Sequence, residues 1–147
     1  MTQEKQAIRD KPVRDKSERR SLAWKVAPDI FASFRYAWQG ITYATRTQRN
    51  FRIRLGVALF VWSMCFLLSL SFLESAVLTA MVALVLVLEL INTALESVVD
   101  LTVQQTYHEL AKIAKDCAAA AVLIGAIASL LVAIMISFPH FRLILTS

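Results

Sequence analysis

Glycine occurs only three times in this 147-residue chain, at Gly40, Gly56 and Gly125. Neither a P-loop nor a dinucleotide-binding turn is possible, because both need closely spaced glycines to bring backbone N–H groups to phosphate. Any nucleotide must be held another way. Cysteine occurs twice, at Cys65 and Cys117, far apart and without a CxxC spacing. Neither a disulfide framework nor a zinc site is suggested, and both read as small apolar packing residues. Internal repeats are absent. Charge is missing over two long runs, from Leu55 to Leu73 and from Cys117 to Phe141, and the connection around Glu74 has no Lys or Arg.

The remaining composition is 57% hydrophobic, with a mean hydropathy of +0.56. That is too apolar for an ordinary soluble domain of this size. The runs at about 55–73 and 117–139 are each long enough to cross a bilayer. The stretch from Ser75 reaches a spanning length of roughly 20 residues only if it continues as helix to about Leu95. Of sixteen Lys and Arg, thirteen lie within residues 1–54, and Lys112 and Lys115 lie in the second connection. Lys and Arg stay on the cytoplasmic side, so the N-terminus and the second connection are expected inside and the Glu74 turn and C-terminus outside. Three spans satisfy that arrangement. A cleaved signal peptide is not expected, because the first apolar run begins some fifty residues in and exceeds a usual signal core.

Residues 1–27 read as a disordered basic arm, with charges of both signs and few branched or aromatic residues. Attraction to anionic headgroups accounts for the arm's charge better than nucleic-acid binding does. From Pro28 the pattern changes. Ile30, Phe34, Ala37, Ile41 and Ala44 recur at helical spacing, with Tyr36, Trp38 and Tyr43 suited to headgroup depth, so an amphipathic surface helix is predicted over about 29–52. Arg46, Arg49, Arg52 and Arg54 follow, as a positive-inside anchor or as phosphate contacts. The predicted spans are about 55–73, 75–98 and 115–138, within one integral-membrane domain over 28–147.

The apolar "AVLTAMVALVLV" runs straight into "LELINTALESVVDL", which carries Glu89, Asn92, Glu96 and Asp100. At about 100° per residue these four fall within an arc of about 80° on one helix. An ionised carboxylate facing lipid would cost several kcal/mol, so the stripe must face protein or a water-filled cavity. With hydrocarbon beginning near Ser75, Glu89 lies roughly 21 Å in, some 9 Å short of the far boundary. Glu96 and Asp100 then reach the aqueous side. Two carboxylates at i and i+7 allow a division of labour. One out of water can accept a proton from a hydroxyl, and a wet one can hold Mg²⁺ on a nucleotide's phosphates. Lys112, Lys115 and Asp116 follow at helical spacing, and Lys115 can meet the stripe's negative charge or an anionic ligand that the stripe holds through a metal. The plainer alternative is that lysine and carboxylate neutralise each other and the polar residues join helices.

"YAWQGITYATRTQRNFR", "ELINTALESVVDL" and "YHELAKIAKDCAAAAVL" together resemble the prokaryotic diacylglycerol kinases, small integral-membrane lipid kinases that include undecaprenol kinases. The likeness runs over about residues 30–138. It implies an all-α membrane protein with three transmembrane helices and a surface helix, forming a homotrimer with sites shared between protomers. It also implies that Glu89 is the catalytic base with Asn92 beside it, and that Glu96 holds the magnesium on ATP. Tyr36, Tyr107, His108, Lys115 and Asp116 are implied as nucleotide contacts, and Asn50, Phe51, Arg52 and Arg54 as lipid contacts.

Three positions depart from the family pattern. Gln48 stands where a second metal-binding glutamate is usual, Thr106 replaces a glutamate before Tyr107, and Asp29 replaces a basic residue found in some members. The implied reaction is ATP-dependent phosphorylation of diacylglycerol to phosphatidate at the cytoplasmic face of the inner membrane. Undecaprenol is the alternative acceptor, and "NFRIRL" and "LAKIAKD" look like that branch. A small ion-coupled transporter using Glu89 is a reading from another class, as is an inactive assembly partner; the transporter would leave Lys115 and Asp116 without a specific task.

Overall fold

The structure is a computed structural model that describes residues 30–104 and 106–146. The arm predicted over 1–27, and Asp29, lie outside the described residues. Contacts group the chain into two units, Met1–Gln39 and Gly40–Ser147. Among the described residues four helices follow one another: α1 (Ile30–Thr47), α2 (Arg49–Leu67), α3 (Phe72–Val103) and α4 (Glu109–Thr146). No strand occurs among the described residues. In the first unit the apolar side chains of α1 are uncovered, Phe31, Phe34 and Trp38 among them, as an interfacial helix requires.

The surface helix ends earlier than its predicted limit near residue 52. Gln48 adopts extended backbone, φ −100° and ψ 111°, and α2 starts at Arg49. The Thr45 and Thr47 hydroxyls donate back to the carbonyls of Ile41 and Tyr43, a pattern that weakens and bends a helix. The Arg52 guanidinium donates to the carbonyls of Thr45 and Arg46 and so closes the last turn of α1. The segment from Asn50 to Arg54 therefore belongs to the first membrane helix.

α2, α3 and α4 are each long and apolar enough to cross a membrane, and the protein is an all-α membrane protein. α3 begins with a capping box: the Ser71 hydroxyl accepts from the Glu74 N–H, and the Glu74 carboxylate accepts from the Ser71 N–H at 2.8 Å. It ends at Gln104, whose left-handed backbone (φ 47°, ψ 44°) lets its N–H reach the Asp100 carbonyl. At about 1.5 Å per residue, its 32 residues give a helix of about 48 Å. The 38 residues of α4 give about 57 Å. Both exceed a hydrocarbon core of about 30 Å, so the second connection, which carries Lys112 and Lys115, is mostly helix: α3 runs to Val103 and α4 starts at Glu109. Bilayer thickness limits the apolar stretch, whereas helical hydrogen bonding continues into water. α4 also continues past its predicted end at 138, through Pro139.

α3 packs against both α2 and α4. Its buried side chains, Leu78, Val82, Val85, Glu89 and Thr93, recur at spacings of three, four and seven and form one face. α2 contributes Phe51 and Ala58 to the core, and α4 contributes Ala118 and Val122. The small residues allow close helix approach where lipid gives no hydrophobic drive to associate. Gly125 is the tightest instance, since a Cβ there would lie 2.5 Å from Leu88 Cδ1. The single chain leaves much apolar surface uncovered, including Phe60, Phe66, Leu84, Leu123 and Leu130.

Candidate active site

The polar stripe of α3 is distributed among three partnerships at successive levels of the helix. At the innermost level Glu89 is 3% exposed, and its Oε2 accepts a hydrogen bond from Arg54 Nε of α2 at 2.9 Å. Just above it the Thr93 hydroxyl donates to the Glu89 backbone carbonyl, so it does not compete for the carboxylate. At the middle level Asn92 Nδ2 donates to Glu96 Oε1 at 3.0 Å, one helical turn apart. Asn92 Oδ1 is buried without a partner among the described residues. At the outer level Lys115 of α4 donates to Asp100 Oδ1, with both side chains open to solvent.

The rise of the helix places Glu96 roughly 10 Å and Asp100 roughly 16 Å beyond Glu89. The stripe therefore runs from a closed level to an open one. Around its outer end a cleft of about 420 Å³ is lined by Asp100, Tyr107, His108, Lys112, Lys115 and Asp116. Four residues that the resemblance marks as nucleotide contacts, Tyr107, His108, Lys115 and Asp116, thus meet in one cavity. Lys112 and Asp100 join them there. Tyr36 is exposed in the other unit, with the Arg35 guanidinium 5.5 Å from its ring centre.

The residues expected to touch lipid are more divided. Asn50 is exposed. Phe51 is 3% exposed, so its ring packs inside the protein and is not offered to a lipid. The reason is position: once α2 begins at Arg49, Phe51 falls on its inner face with Ala58, two turns along. Arg52 is occupied in closing α1, and Arg54 is occupied by Glu89. Gln48 is half-buried at the break between α1 and α2, and its side chain makes no helix-capping hydrogen bond.

No group of three His, Cys, Asp or Glu placed to hold a metal ion occurs among the described residues. A preformed all-protein metal cage is not what magnesium on a nucleotide needs, because that ion is held by one or two carboxylates, waters and the phosphates themselves. Glu96, with the unpartnered Asn92 oxygen beside it, fits such a half-site. The partnership of Arg54 with Glu89 was not foreseen from the residues alone, whereas Lys115 does pair with a carboxylate of the stripe, as the plainer alternative had it, and that carboxylate is Asp100. Sequence spacing cannot pair residues 35 apart on different helices. The one clue was that Arg54 is the last charge before an apolar run.

The family described as prokaryotic diacylglycerol kinase matches residues 35–137. A diacylglycerol kinase of Synechocystis sp. is 59% identical over 113 residues, covering 77% of this chain and 65% of that protein. The chain thus spans a little under two thirds of that relative's length. An undecaprenol kinase of Bacillus subtilis is 39% identical over 110 residues, 75% of this chain and 89% of that protein. A diacylglycerol kinase of Escherichia coli strain K12 is 35% identical over 111 residues, 72% of this chain and 86% of that protein.

Proposed function

Because the chain belongs to the prokaryotic diacylglycerol kinase family of membrane lipid kinases, we propose that it transfers the γ-phosphate of ATP to the hydroxyl of diacylglycerol, giving phosphatidate. The observation that carries this reading is the order of groups along α3. A shielded carboxylate lies in the packed part of a membrane-spanning helix, an amide and a second carboxylate follow, and a cleft carrying two lysines and two acids lies at the open end. A nucleotide lying along that stripe has its transferable phosphate toward Glu89 and its nucleoside toward Tyr107 and His108.

Glu89 accepts the proton of the lipid hydroxyl. The hydroxyl oxygen bonds to the γ-phosphorus, the bond from that phosphorus to the β,γ-bridging oxygen breaks, and ADP leaves with the electron pair. Phosphoryl transfer needs little from a protein beyond positioning and charge stabilisation. Glu96 and Asn92 Oδ1 would hold magnesium carried in on the phosphates, and that ion supplies neutralisation of the charge growing on the leaving oxygen. Gln48 would be a neutral second ligand. Lys115, released from Asp100, turns its ammonium to the phosphates, and Asp116 adds a nucleoside contact.

Diacylglycerol is favoured as acceptor by the higher identity to the Synechocystis relative. The Lys and Arg excess before α2 and at Lys112 and Lys115 supports a cytoplasmic site in the inner membrane. Assembly of three chains with sites shared between neighbours belongs to this reading through the family resemblance alone, since uncovered apolar surface can equally face lipid. The test is a competition in mixed micelles with γ-labelled ATP and both lipids present. Label in phosphatidate is the expected outcome; label passing to undecaprenol instead transfers the acceptor assignment and leaves the chemistry standing.

A further inference from the structure

We propose that Arg54 is the positioning residue of the Glu89 base, in place of the lipid contact its neighbourhood suggested. This rests on the reading of Glu89 as the group that takes the hydroxyl proton. Its starting observation is that the Glu89 side chain is 4% exposed, so water cannot orient its carboxylate. Among the described residues, Arg54 is the one side chain found hydrogen-bonded to it. The bond crosses from α2 to α3 and so ties the base to a second rigid element.

A guanidinium is planar, and its Nε–H points along a fixed direction in that plane. A 2.9 Å bond from Nε to Oε2 therefore sets the rotation of the carboxylate as well as its place. Oε1 is left to meet the acceptor hydroxyl. Phosphoryl transfer through a loose transition state depends chiefly on alignment, which is what this bond supplies. When the hydroxyl proton reaches Glu89, the carboxyl becomes neutral and the Arg54 charge remains beside the new phosphate ester.

A purely structural pin between α2 and α3 would show the same geometry, and so would a lipid contact that happens to touch Glu89. Kinetics separates the three. Full-length protein in mixed micelles with magnesium, ATP and diacylglycerol is compared with Arg54→Lys, Arg54→Gln, Glu89→Gln and the double variant Arg54→Gln/Glu89→Gln. Misplacing a base by about 1 Å costs on the order of 100-fold, so Arg54→Gln is expected to lower kcat by roughly 10- to 100-fold. The KM for either substrate is expected to stay within about 2-fold, because no ground-state contact is lost. Arg54→Lys recovers part of kcat. In the Glu89→Gln background, Arg54→Gln produces no further loss, since there is no base left to position.

The proposal is overturned by a normal kcat in Arg54→Gln, by a raised lipid KM with unchanged kcat, or by the same loss in both backgrounds. Should Arg54→Gln fail to fold, Arg54→Lys, which keeps the charge, decides: wild-type kcat there removes the need for the planar fork and overturns the proposal. Wild-type protein that labels neither lipid ends the kinase reading and this proposal with it. An active wild type with an impaired Glu89→Gln and an unimpaired Arg54→Gln ends this proposal alone.

Discussion

Glu89 and Asp100 stand on the same face of one helix, and each accepts a hydrogen bond from a cationic side chain of a neighbouring helix. Their surroundings differ. The pair of Glu89 with Arg54 has side-chain exposures of 4% and 24%, whereas Asp100 and Lys115 stand at 62% and 39%. In water a lysine and an aspartate exchange each other for solvent at almost no cost, so the outer pair can open for a ligand. Inside the bundle Glu89 has no water to turn to and Arg54 has little, so the inner pair stays closed and fixes geometry. The same chemical pairing is therefore a latch at one end of the stripe and a mount at the other.

Stability should separate the two most widely. Removing the carboxylate in Glu89→Ala strands a poorly hydrated guanidinium and should cost about 3–5 kcal/mol. Asp100→Ala should cost no more than about 1 kcal/mol. Detergent unfolding of the two variants, followed by loss of helical circular dichroism, measures both, and equal losses would erase the distinction.

Nucleotide affinity sharpens the comparison from the other side. If Lys115 must leave Asp100 to meet phosphate, Asp100→Asn should lower the apparent KM for ATP by up to ~5-fold, the equivalent of an exposed pair. Lys115→Ala should raise that KM or reduce turnover, with lipid dependence unchanged. A response confined to lipid would place Lys115 elsewhere in the mechanism.

A smaller effect is expected at Gln48, where a glutamate is usual in the family. Hard divalent cations gain affinity with carboxylate count, so Gln48→Glu should lower the magnesium needed for half-maximal activity about 2- to 3-fold. Gln48→Ala should raise it, and both shifts should vanish in Glu96→Gln. A magnesium titration indifferent to residue 48 would give the second ligand to another acid, such as Asp100 or Glu109.

Two of the three spans were legible because an uncharged apolar run of about twenty residues matches the thickness of a bilayer and suits little else, and the third because the run from Ser75 reaches that length once the helix continues through Glu89. The stripe was legible because helical periodicity puts four polar residues on one face. Helix ends were less so. α3 and α4 continue into water on hydrogen bonding alone, which hydropathy does not register, and the break at Gln48 depends on Thr45, Thr47 and Arg52 acting together. Glu89 and Lys115 could be singled out by type and depth. Lys115 could also be expected to meet an acid of the stripe, but the partner of Glu89 could not be read, since Arg54 looks like any anchor arginine until the helices are packed.

The decisive experiment follows γ-labelled ATP into lipid with wild-type, Glu89→Gln and Asp100→Asn proteins side by side. Loss of a general base costs at least ~100-fold, so labelled phosphatidate is expected from wild type and Asp100→Asn and almost none from Glu89→Gln. Transfer that survives Glu89→Gln, or that fails equally in Asp100→Asn, would contradict the division between a fixed inner base and an outer latch.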